Sequence, residues 1–175
     1  VSREVGRIDI LVNNAAYASG SRLPALGEQE WRKAFDVNVT APFLLLQAVR
    51  PAMEAARHGR IINVASTAGK TVSTLGGAHY TASKHALLGL TRAAARELGP
   101  HGITVNAVCP GMTDTQMIAD TAPAETIREI VETRVPIRRL GRPEEVAELI
   151  GFLASDGSGF INGAAIDING GIILV

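Results

Sequence analysis

The sequence has little cysteine, no excess of charge of either sign and no long apolar run. Its single cysteine, Cys109, excludes an intramolecular disulfide and fits a reducing compartment, so we expect the protein in the cytoplasm. We interpret Cys109 as a small buried hydrophobe rather than a nucleophile. Seventeen basic and seventeen acidic residues cancel, which leaves no broad field to attract nucleic acid or an anionic membrane.

Two further absences concern membranes and secretion. No apolar run approaches the roughly 20 residues that a membrane-spanning helix needs. The first residues, Val1–Glu4, lack the basic stretch followed by an apolar stretch that marks a signal peptide. The sequence therefore predicts neither a membrane partner nor a nucleic-acid partner.

What is present is a regular alternation of apolar strands and amphipathic helices. The length of 175 residues suits one compact core, so we expect a single domain over residues 1–175. Short apolar runs predict strands, and longer stretches with apolar residues at helical spacing predict helices. The predicted strands are 8–12, 61–65, 103–108 and 164–168, and the predicted helices are 28–57, 79–98 and 143–154. We expect the first helix to be distorted near Pro42 and Pro51, and we expect a mobile helical excursion over 112–134.

The predicted strands are apolar throughout rather than alternating with polar residues. This pattern is typical of an α/β fold in which helices cover both faces of a doubly wound parallel sheet. In such sheets ligands bind beyond the carboxyl ends of the strands. Asn13, Asn14, Ser66, Pro110 and Gly111 fall at those ends, and they are the places where we expect chemistry.

Tyr80 and Lys84 stand four positions apart in the predicted helix 79–98, one turn from each other on the same face. A free phenol has a pKa near about 10, so it is a poor acid or base at neutral pH. An ammonium one turn away favours the phenolate and lowers that pKa. The pair therefore suits proton exchange with a carbonyl or carbinol oxygen, although this spacing alone more often places a half-buried ring beside a solvated amine.

Two other polar residues gain meaning from their surroundings in the sequence. Ser66 follows a predicted buried strand, fourteen positions before Tyr80, where its hydroxyl could meet a substrate oxygen. A serine in a loop is, however, ordinarily a turn residue. Asn38 lies inside a predicted helix, where asparagine is a mediocre helix former, and its ordinary role there is a solvent-facing or back-bonding amide.

The order of these motifs resembles that of the short-chain dehydrogenase/reductase family, whose fold is a Rossmann-like doubly wound sheet. Typical phrases also occur at 59–66 (GRIINVAS) and 102–106 (GITVN). The resemblance runs from about Val5 to Gly171. Tyr-x-x-x-Lys alone is a weak motif, but the ordered set is very specific. That set consists of Asn13-Asn14-Ala15-Ala16, Asn38 in Asp-Val-Asn-Val, Ser66, Tyr80-x-x-x-Lys84 and Pro110-Gly111.

The resemblance implies a catalytic role for four of these residues. Tyr80 would be the general acid in reduction and the base in oxidation, and Lys84 would lower its pKa and hold the nicotinamide ribose. Ser66 would hold the substrate carbonyl and stabilise the charge that develops on its oxygen. Asn38 would support a water molecule that links Lys84 to solvent.

The resemblance also implies a nicotinamide cofactor, NADP with NAD as the alternative, and no metal. Pro110 and Gly111, with Thr113 and Thr115, would fix the nicotinamide carboxamide and choose the face for hydride transfer, whose chemistry belongs to the cofactor. The residues implied to contact the cofactor are Asn14, Ala15, Tyr80, Lys84, Pro110, Gly111, Thr113 and Thr115.

Three features depart from the family pattern. Ala16 stands where the family usually has glycine, which is tolerable if the backbone angles there are ordinary. The loop between Ser66 and Tyr80 is about one residue longer than in many relatives. The family's glycine-rich phosphate loop would precede Val1, and the glycines of 157–163 precede a strand, so we interpret them as a turn. We therefore expect the carboxy-terminal portion of the Rossmann-like domain, without its first strands.

The motifs resemble most closely the 3-oxoacyl-carrier-protein reductase branch, including polyketide ketoreductases, at 66–70 (STAGK) and 107–112 (AVCPGM). The implied activity is reduction of a 3-oxoacyl thioester or a similar ketone by NADPH. Arg57 matches a surface arginine that such reductases place beside the cleft, whereas His101 occupies another such position. An NAD-linked dehydrogenase of a secondary alcohol or a dihydrodiol is the alternative activity.

An alternative of another class is a truncated chain that keeps the assembly surface of the fold but not its catalysis. Helices 28–57 and 79–98 commonly build tetramers in this family, so we expect a homotetramer or a homodimer. Dinucleotides are held largely by a pyrophosphate seated on the amides of a glycine loop. A protein with only these residues should therefore bind NADH and NADPH weakly.

Overall fold

Two buried apolar strands form the centre of the sheet in the computed structural model, which describes residues 6–175. They are β2, Gly59–Val64, and β3, Ile103–Pro110. Within the described range the sheet has four strands, because β1, Ile10–Asn13, pairs with β2, and β4, Ala165–Ile168, pairs with β3. All three pairings are parallel, which confirms the predicted sheet. Val5, where the family resemblance begins, lies outside the described residues.

Helices form the connections between the strands. Their residues have the helical apolar spacing that the sequence shows, and the predicted ends of the helices 79–98 and 143–154 are confirmed to within one residue. The helices are α1 (Glu28–Phe35), α2 (Ala41–Ala56), α3 (Ala78–Leu98), α4 (Gln116–Thr121), α5 (Ala124–Arg134) and α6 (Pro143–Ala154).

The neighbouring residues Ile61 and Ile62 of β2 show that helices cover both faces of the sheet. Ile61 packs in a core cluster with Met53 of α2 and Leu98 of α3. Ile62 packs in a different cluster with Leu153 of α6. Successive side chains of a strand point to opposite faces, so the two clusters lie on opposite sides of the sheet. Each fully buried side chain of this size stabilises the fold by about 1.5–3 kcal/mol.

The predicted long helix 28–57 is interrupted just before Pro42, where the sequence predicted a distortion. A π-helical segment, Asp36–Thr40, separates α1 from α2, and the Ala41 N–H donates to the Asp36 carbonyl. Pro42 lies in the first turn of α2 and has no N–H to offer to the carbonyl one turn earlier, that of Asn38. Pro51 lies inside α2 without ending it. The predicted distortion near Pro42 is thus confirmed, with the break centred on Asn38, and a distortion at Pro51 stays a prediction.

The helix α6 begins where the sequence predicted, at a proline followed by acidic residues. The Glu145 carboxylate accepts the Arg142 N–H at 2.7 Å and pairs with both terminal nitrogens of the Arg139 guanidinium at 2.8 and 2.6 Å. The hydrogen bond from Arg139, with smaller contributions from Arg142, lowers the pKa of Glu145 to about 2. This anchored start places one side of α6 along the carboxyl ends of the strands.

Three other expectations concern segments away from the sheet. The predicted excursion 112–134 contains α4 and α5, and its mobility stays a prediction. The segment 157–163 begins within a short 3₁₀ turn, Asp156–Ser158, and Gly163 has a positive φ of 76°, which confirms its interpretation as a turn. Cys109 is buried, as predicted. Among residues 6–175, the helices lack either the length or the apolar character that a bilayer crossing requires.

Candidate active site

A cleft of about 620 Å³ opens at the carboxyl ends of β1, β2 and β3. Side chains of α4 and α6, among them Met117 and Val146, form its remaining walls. Asn38 does not line the cleft. The other nine predicted site residues do, and they are Asn14, Ala15, Ser66, Tyr80, Lys84, Pro110, Gly111, Thr113 and Thr115.

Lys84 carries the most strongly buried charge of the cleft, with 1% of its surface exposed. Its Nζ donates to the Val64 carbonyl at the end of β2, at 2.8 Å, and lies 5.6 Å from the centre of the Tyr80 ring. Burial disfavours the ammonium and lowers the pKa of Lys84 to about 8. Lys84 is therefore held in a fixed place and is close to its titration at neutral pH.

Tyr80 lies one helical turn before Lys84 and lines the cleft together with Ser66. Burial raises the pKa of Tyr80, and the nearby Ser66 side chain lowers it by a smaller amount. The sequence predicted the opposite direction, with Lys84 as the cause. That prediction is wrong for this structure, because desolvation dominates and the Lys84 ammonium is bound to a main-chain carbonyl instead of the phenol.

Ser66 is both a turn residue and a residue of the cleft. Its backbone is extended, and its Oγ accepts the Ala68 N–H at 3.1 Å at the start of the 3₁₀ turn Thr67–Gly69. The side chain is thereby fixed at the end of β2, beside Tyr80. The two interpretations of this serine that the sequence left open are compatible, since the turn is what orients the hydroxyl.

Asn38 is buried, so its interpretation as a solvent-facing amide is wrong. Its Oδ1 accepts the Tyr17 N–H at 2.7 Å, and its Nδ2 donates to the Tyr17 carbonyl and to the Ser83 hydroxyl, both at 2.9 Å. The side chain thus joins the loop after β1 to α3. The water molecule that Asn38 was expected to support stays a prediction.

The loops at the far side of the cleft are shaped by close backbone contacts. The Gly111 N–H donates to the Ile168 carbonyl at 3.1 Å, and a Cβ at Gly111 would lie 2.9 Å from the backbone of Asn169, so only glycine fits there. Among the non-glycine residues of 6–175, only Arg57 and Arg138 have positive φ angles. Ala16 therefore has ordinary backbone angles, as its replacement of the family glycine requires.

Sequence reasoning missed a partly buried polar cluster around His79, the residue before Tyr80. His79 is fully buried, and its Nε2 lies 3.1 Å from the Ser19 Oγ. Ser19 and Ser21 donate to the Glu30 carboxylate, which lowers the pKa of Glu30, while burial lowers the pKa of His79. The contacts between these residues span 9 to 60 positions, so no local motif could have indicated the cluster.

Arg57 lies at the wrong edge of the sheet for the role that the resemblance implied. It ends α2 immediately before β2, and its Nη2 donates to the Pro100 carbonyl at 3.1 Å. β2 has six residues, so its first residue lies about 17 Å from its last, where the cleft opens. Within one chain, therefore, Arg57 is not beside the cleft.

Comparisons with known proteins agree with the fold. Residues 1–173 match a family model described as enoyl-(acyl carrier protein) reductase. The chain belongs to the short-chain dehydrogenase/reductase family. It is 40% identical over 174 residues to a 3-oxoacyl-(acyl-carrier-protein) reductase of Pseudomonas aeruginosa, covering 99% of this chain and 69% of the relative. It is also 38% identical to an acetoacetyl-CoA reductase of Shinella zoogloeoides, covering 100% of this chain and 72% of the relative.

Solved structures give the same result. A 3-oxoacyl-(acyl-carrier protein) reductase from Brucella melitensis superposes with a TM-score of 0.89 at 41% identity, covering 95% of this chain and 63% of that one. A second such reductase from the same organism, solved with bound NAD, has a TM-score of 0.87 at 38% identity, with the same coverage. The chain thus spans a little under two thirds of the length of these two structures.

Proposed function

We propose that the protein interconverts a ketone and a secondary alcohol with NADPH or NADH, and that the reduction of a 3-oxoacyl thioester is its main activity. The observation that carries this proposal is the meeting of Ser66, Tyr80 and Lys84 in one cleft, where Ser66 and Tyr80 also line an adjoining smaller cavity. Hydroxyls arranged in this way can both donate to one carbonyl oxygen. The names of the relatives, which are reductases of 3-oxoacyl and acetoacetyl thioesters, support this substrate class.

The residues of the cleft fit a nicotinamide cofactor. Its volume of about 620 Å³ lies within the range of roughly 300–1,000 Å³ that ligand sites have. The buried Lys84 ammonium provides donors for ribose hydroxyls. When bound, the cofactor supplies the hydride. The residues that would hold it are Asn14, Ala15, Tyr80, Lys84, Pro110, Gly111, Thr113 and Thr115.

The protonation state of Tyr80 favours the direction of reduction. Because burial raises its pKa, Tyr80 is a neutral phenol near pH 7 and can donate its proton to the oxygen of the substrate. Ser66 donates to the same oxygen and stabilises the negative charge that develops there. Lys84 keeps a cation close to the phenolate that remains, and Asn38 is proposed to support the water that returns a proton to the site.

A smaller cavity of about 80 Å³ adjoins the cleft and supports the choice of an acyl substrate. It shares Ser66, Tyr80 and Gly111 with the cleft, so a group placed there would be attached directly to the reacting carbonyl. The rest of its lining combines the apolar residues Ala18, Leu75, Met112 and Ile172 with the hydroxyl-bearing residues Thr67, Ser73, Thr74 and Thr121, and it shares Met117 and Ile118 with the cleft. Apolar walls suit the alkyl chain of a short 3-oxoacyl group better than the polar surface of a dihydrodiol.

We also propose that the protein is a homotetramer or a homodimer in the cytoplasm. Its support is a groove of about 380 Å³ between α2 and α3, together with large apolar side chains that α2 leaves exposed. Light scattering on the purified protein tests the assembly, and a monomer at micromolar concentration would contradict it. The exposed side chains are Phe43, Leu44 and Leu45.

The test of the proposed function is cofactor oxidation with acetoacetyl-CoA, with a cyclic ketone and with both NADPH and NADH. We expect Tyr80→Phe to lower kcat by about 100-fold or more while cofactor binding is kept, since only the transferable proton is lost. Tyr17→Phe is the matched control, because Asn38 binds only the backbone of Tyr17. Activity of Tyr80→Phe within about tenfold of the parent would remove Tyr80 from the mechanism.

A further inference from the structure

A second lysine, Lys70, lies at the end of the short turn that begins at Ser66, and the mechanism above does not use it. The Lys70 Nζ donates to the Ala165 carbonyl at 2.7 Å and pairs with the Asp167 carboxylate at 2.6 Å. The side chains of Lys70 and Asp167 are only 15% and 24% exposed. The pair therefore joins the loop after β2 to the last strand, β4, across 97 positions of sequence.

Lys70 and Ser66 are the two ends of one tight turn. The Lys70 N–H donates to the Thr67 carbonyl at 3.0 Å, and the Gly69 N–H donates to the Ser66 carbonyl at 2.9 Å. The turn also presses on the helix that carries Tyr80, since a Cβ at Gly69 would lie 2.8 Å from the Lys84 carbonyl. With one end bound to β4 and its middle packed on α3, the turn has little freedom to rotate the Ser66 hydroxyl away from Tyr80.

The chemistry of the pair indicates that it fixes the position of the turn more than it stabilises the fold. Removing two charges from water costs several kcal/mol for each ion, and their mutual attraction returns roughly the same amount. A protein with apolar side chains of similar size in place of a buried ion pair is therefore often as stable. One oxygen of the pair, the buried Oδ1 of Asp167, also has no hydrogen-bond partner among the described residues. An apolar contact could slide, whereas the Lys70 ammonium is held by two acceptors at fixed positions.

We propose that Lys70 is a positioning residue, which acts through Asp167 to direct the Ser66 hydroxyl toward the substrate oxygen. The inference rests on the proposed ketone reduction, because it is in that reaction that Ser66 donates a hydrogen bond to the substrate oxygen. Lys70 itself does not line the cleft and has no contact with the reacting atoms.

The test replaces both charges at once, by Lys70→Met with Asp167→Asn, so that no lone charge is left buried. The paired variant is made with Ser66 present and again with Ser66→Ala. With Ser66 present we expect kcat/KM to fall by roughly 10- to 100-fold, mostly in kcat, because a small misplacement of a reacting group has effects of that size. In the Ser66→Ala background the same change should alter kcat/KM by less than about threefold, the scatter of independent mutations.

A matched control is the pair Arg60–Asp156, which joins the other end of β2 to the same carboxy-terminal region across 96 positions. Arg60→Met with Asp156→Asn should leave kcat/KM within about threefold of the parent. Equal losses from the Lys70 pair with and without Ser66, or no loss with Ser66 present, would overturn the proposal. Either result would show that the pair does not act through Ser66.

Amide hydrogen exchange provides a readout that does not depend on turnover. In the Lys70–Asp167 variant we expect the amides of Ala68, Gly69 and Lys70 to exchange about tenfold faster or more, with those of β2 and β3 unchanged. Unchanged exchange in the turn, or uniform acceleration across the sheet, would contradict the role of the pair. A parent protein without ketone reduction would refute the proposed function and the task of Ser66, while exchange would still show whether the pair holds the turn.

Discussion

The two ends of β2 lie next to buried cations that the structure holds in opposite ways. At the amino end, the Arg60 guanidinium donates to the Gly59 and Ser155 carbonyls and pairs with the Asp156 carboxylate. At the carboxyl end, the Lys84 ammonium donates to the Val64 carbonyl, and none of the ion pairs of the described residues includes it. Burial accordingly lowers the pKa of Lys84 to about 8.

This difference separates a structural cation from one that is available for chemistry. A guanidinium is always charged, and one that pairs with a carboxylate is stabilised by that pairing. An ammonium without a carboxylate is held at a cost to stability, and such groups cluster at functional sites. The comparison therefore predicts opposite effects on stability when the two cations are removed.

The largest expected effect is on activity, from Lys84→Met. Loss of the ammonium removes both the cation beside the phenolate and the donors for the ribose, so we expect kcat to fall by about 100-fold or more and the cofactor Kd to rise by roughly tenfold. Fluorescence titration with NADPH measures the second effect. The control is Lys33→Met, which removes an exposed ammonium over the Tyr17 ring. Normal affinity with an unchanged pH–rate profile would show that Lys84 has neither role.

The next effect is on stability, and its sign is unusual for a core residue. The pKa of Lys84 is about 8 in the folded protein and near 10.5 when it is unfolded, which corresponds to a penalty of about 3 kcal/mol at neutral pH. Loss of the bond to the Val64 carbonyl offsets part of the gain, so we expect Lys84→Met to raise the free energy of unfolding by roughly 1–2 kcal/mol near pH 7.

The pH dependence of this gain follows from the direction of the shift. Between about pH 8 and 10.5 the unfolded parent binds more protons than the folded parent, so the stability of the parent rises with pH in this window. The advantage of Lys84→Met should therefore be largest below pH 8, shrink as the pH rises toward 10.5 and become a deficit before that pH is reached, because the bond to the Val64 carbonyl is still lost. Urea unfolding of both proteins across this range measures it. A deficit in Lys84→Met that is the same at every pH would contradict the assignment of a buried, destabilising charge.

The smallest expected effect comes from Arg60→Met, at the other end of β2. Asp156 is well exposed, so no buried charge is left behind, and the loss is limited to the hydrogen bonds of Arg60. We expect the free energy of unfolding to fall by about 1 kcal/mol, with kcat/KM within about threefold of the parent. Urea unfolding at pH 7 measures the sign of this change in the free energy of unfolding. A gain in stability would contradict the prediction that removing Arg60 and removing Lys84 have opposite effects.

The sequence predicted the sheet and most of the cleft because both follow from local patterns. Apolar strands such as 61–65 indicated a parallel sheet, and the ordered motifs ending in Tyr80, Lys84 and Gly111 indicated which loops meet at its edge. Features that depend on tertiary contacts were not predictable. Burial reverses the expected shift of the Tyr80 pKa, and the partners Lys70 and Asp167 are 97 positions apart.

The break in the long helix shows the same limit. Pro42 indicated a disturbance, but the π-helical segment is centred on Asn38, whose amide is bound to Tyr17 and Ser83. A single sequence does not reveal that a side chain inside a helix binds a loop 21 positions away. π-Helical segments are frequent at functional sites. The segment Asp36–Thr40 contains Asn38, which connects it to the loop after β1 through the backbone of Tyr17.

The way in which Asn38 binds that loop has a consequence for how the protein can evolve. The amide pairs with both the N–H and the carbonyl of residue 17, as another peptide group would in a sheet, and so it recognises the main chain alone. Any residue except proline can therefore stand at position 17 without loss of the anchor. Ala18, the next residue, lines the small cavity beside Ser66 and Tyr80. The side chains of residues 17 and 18 can thus change without loss of the anchor that Asn38 provides, so the lining of the small cavity can vary while Ser66 and Tyr80 keep their places.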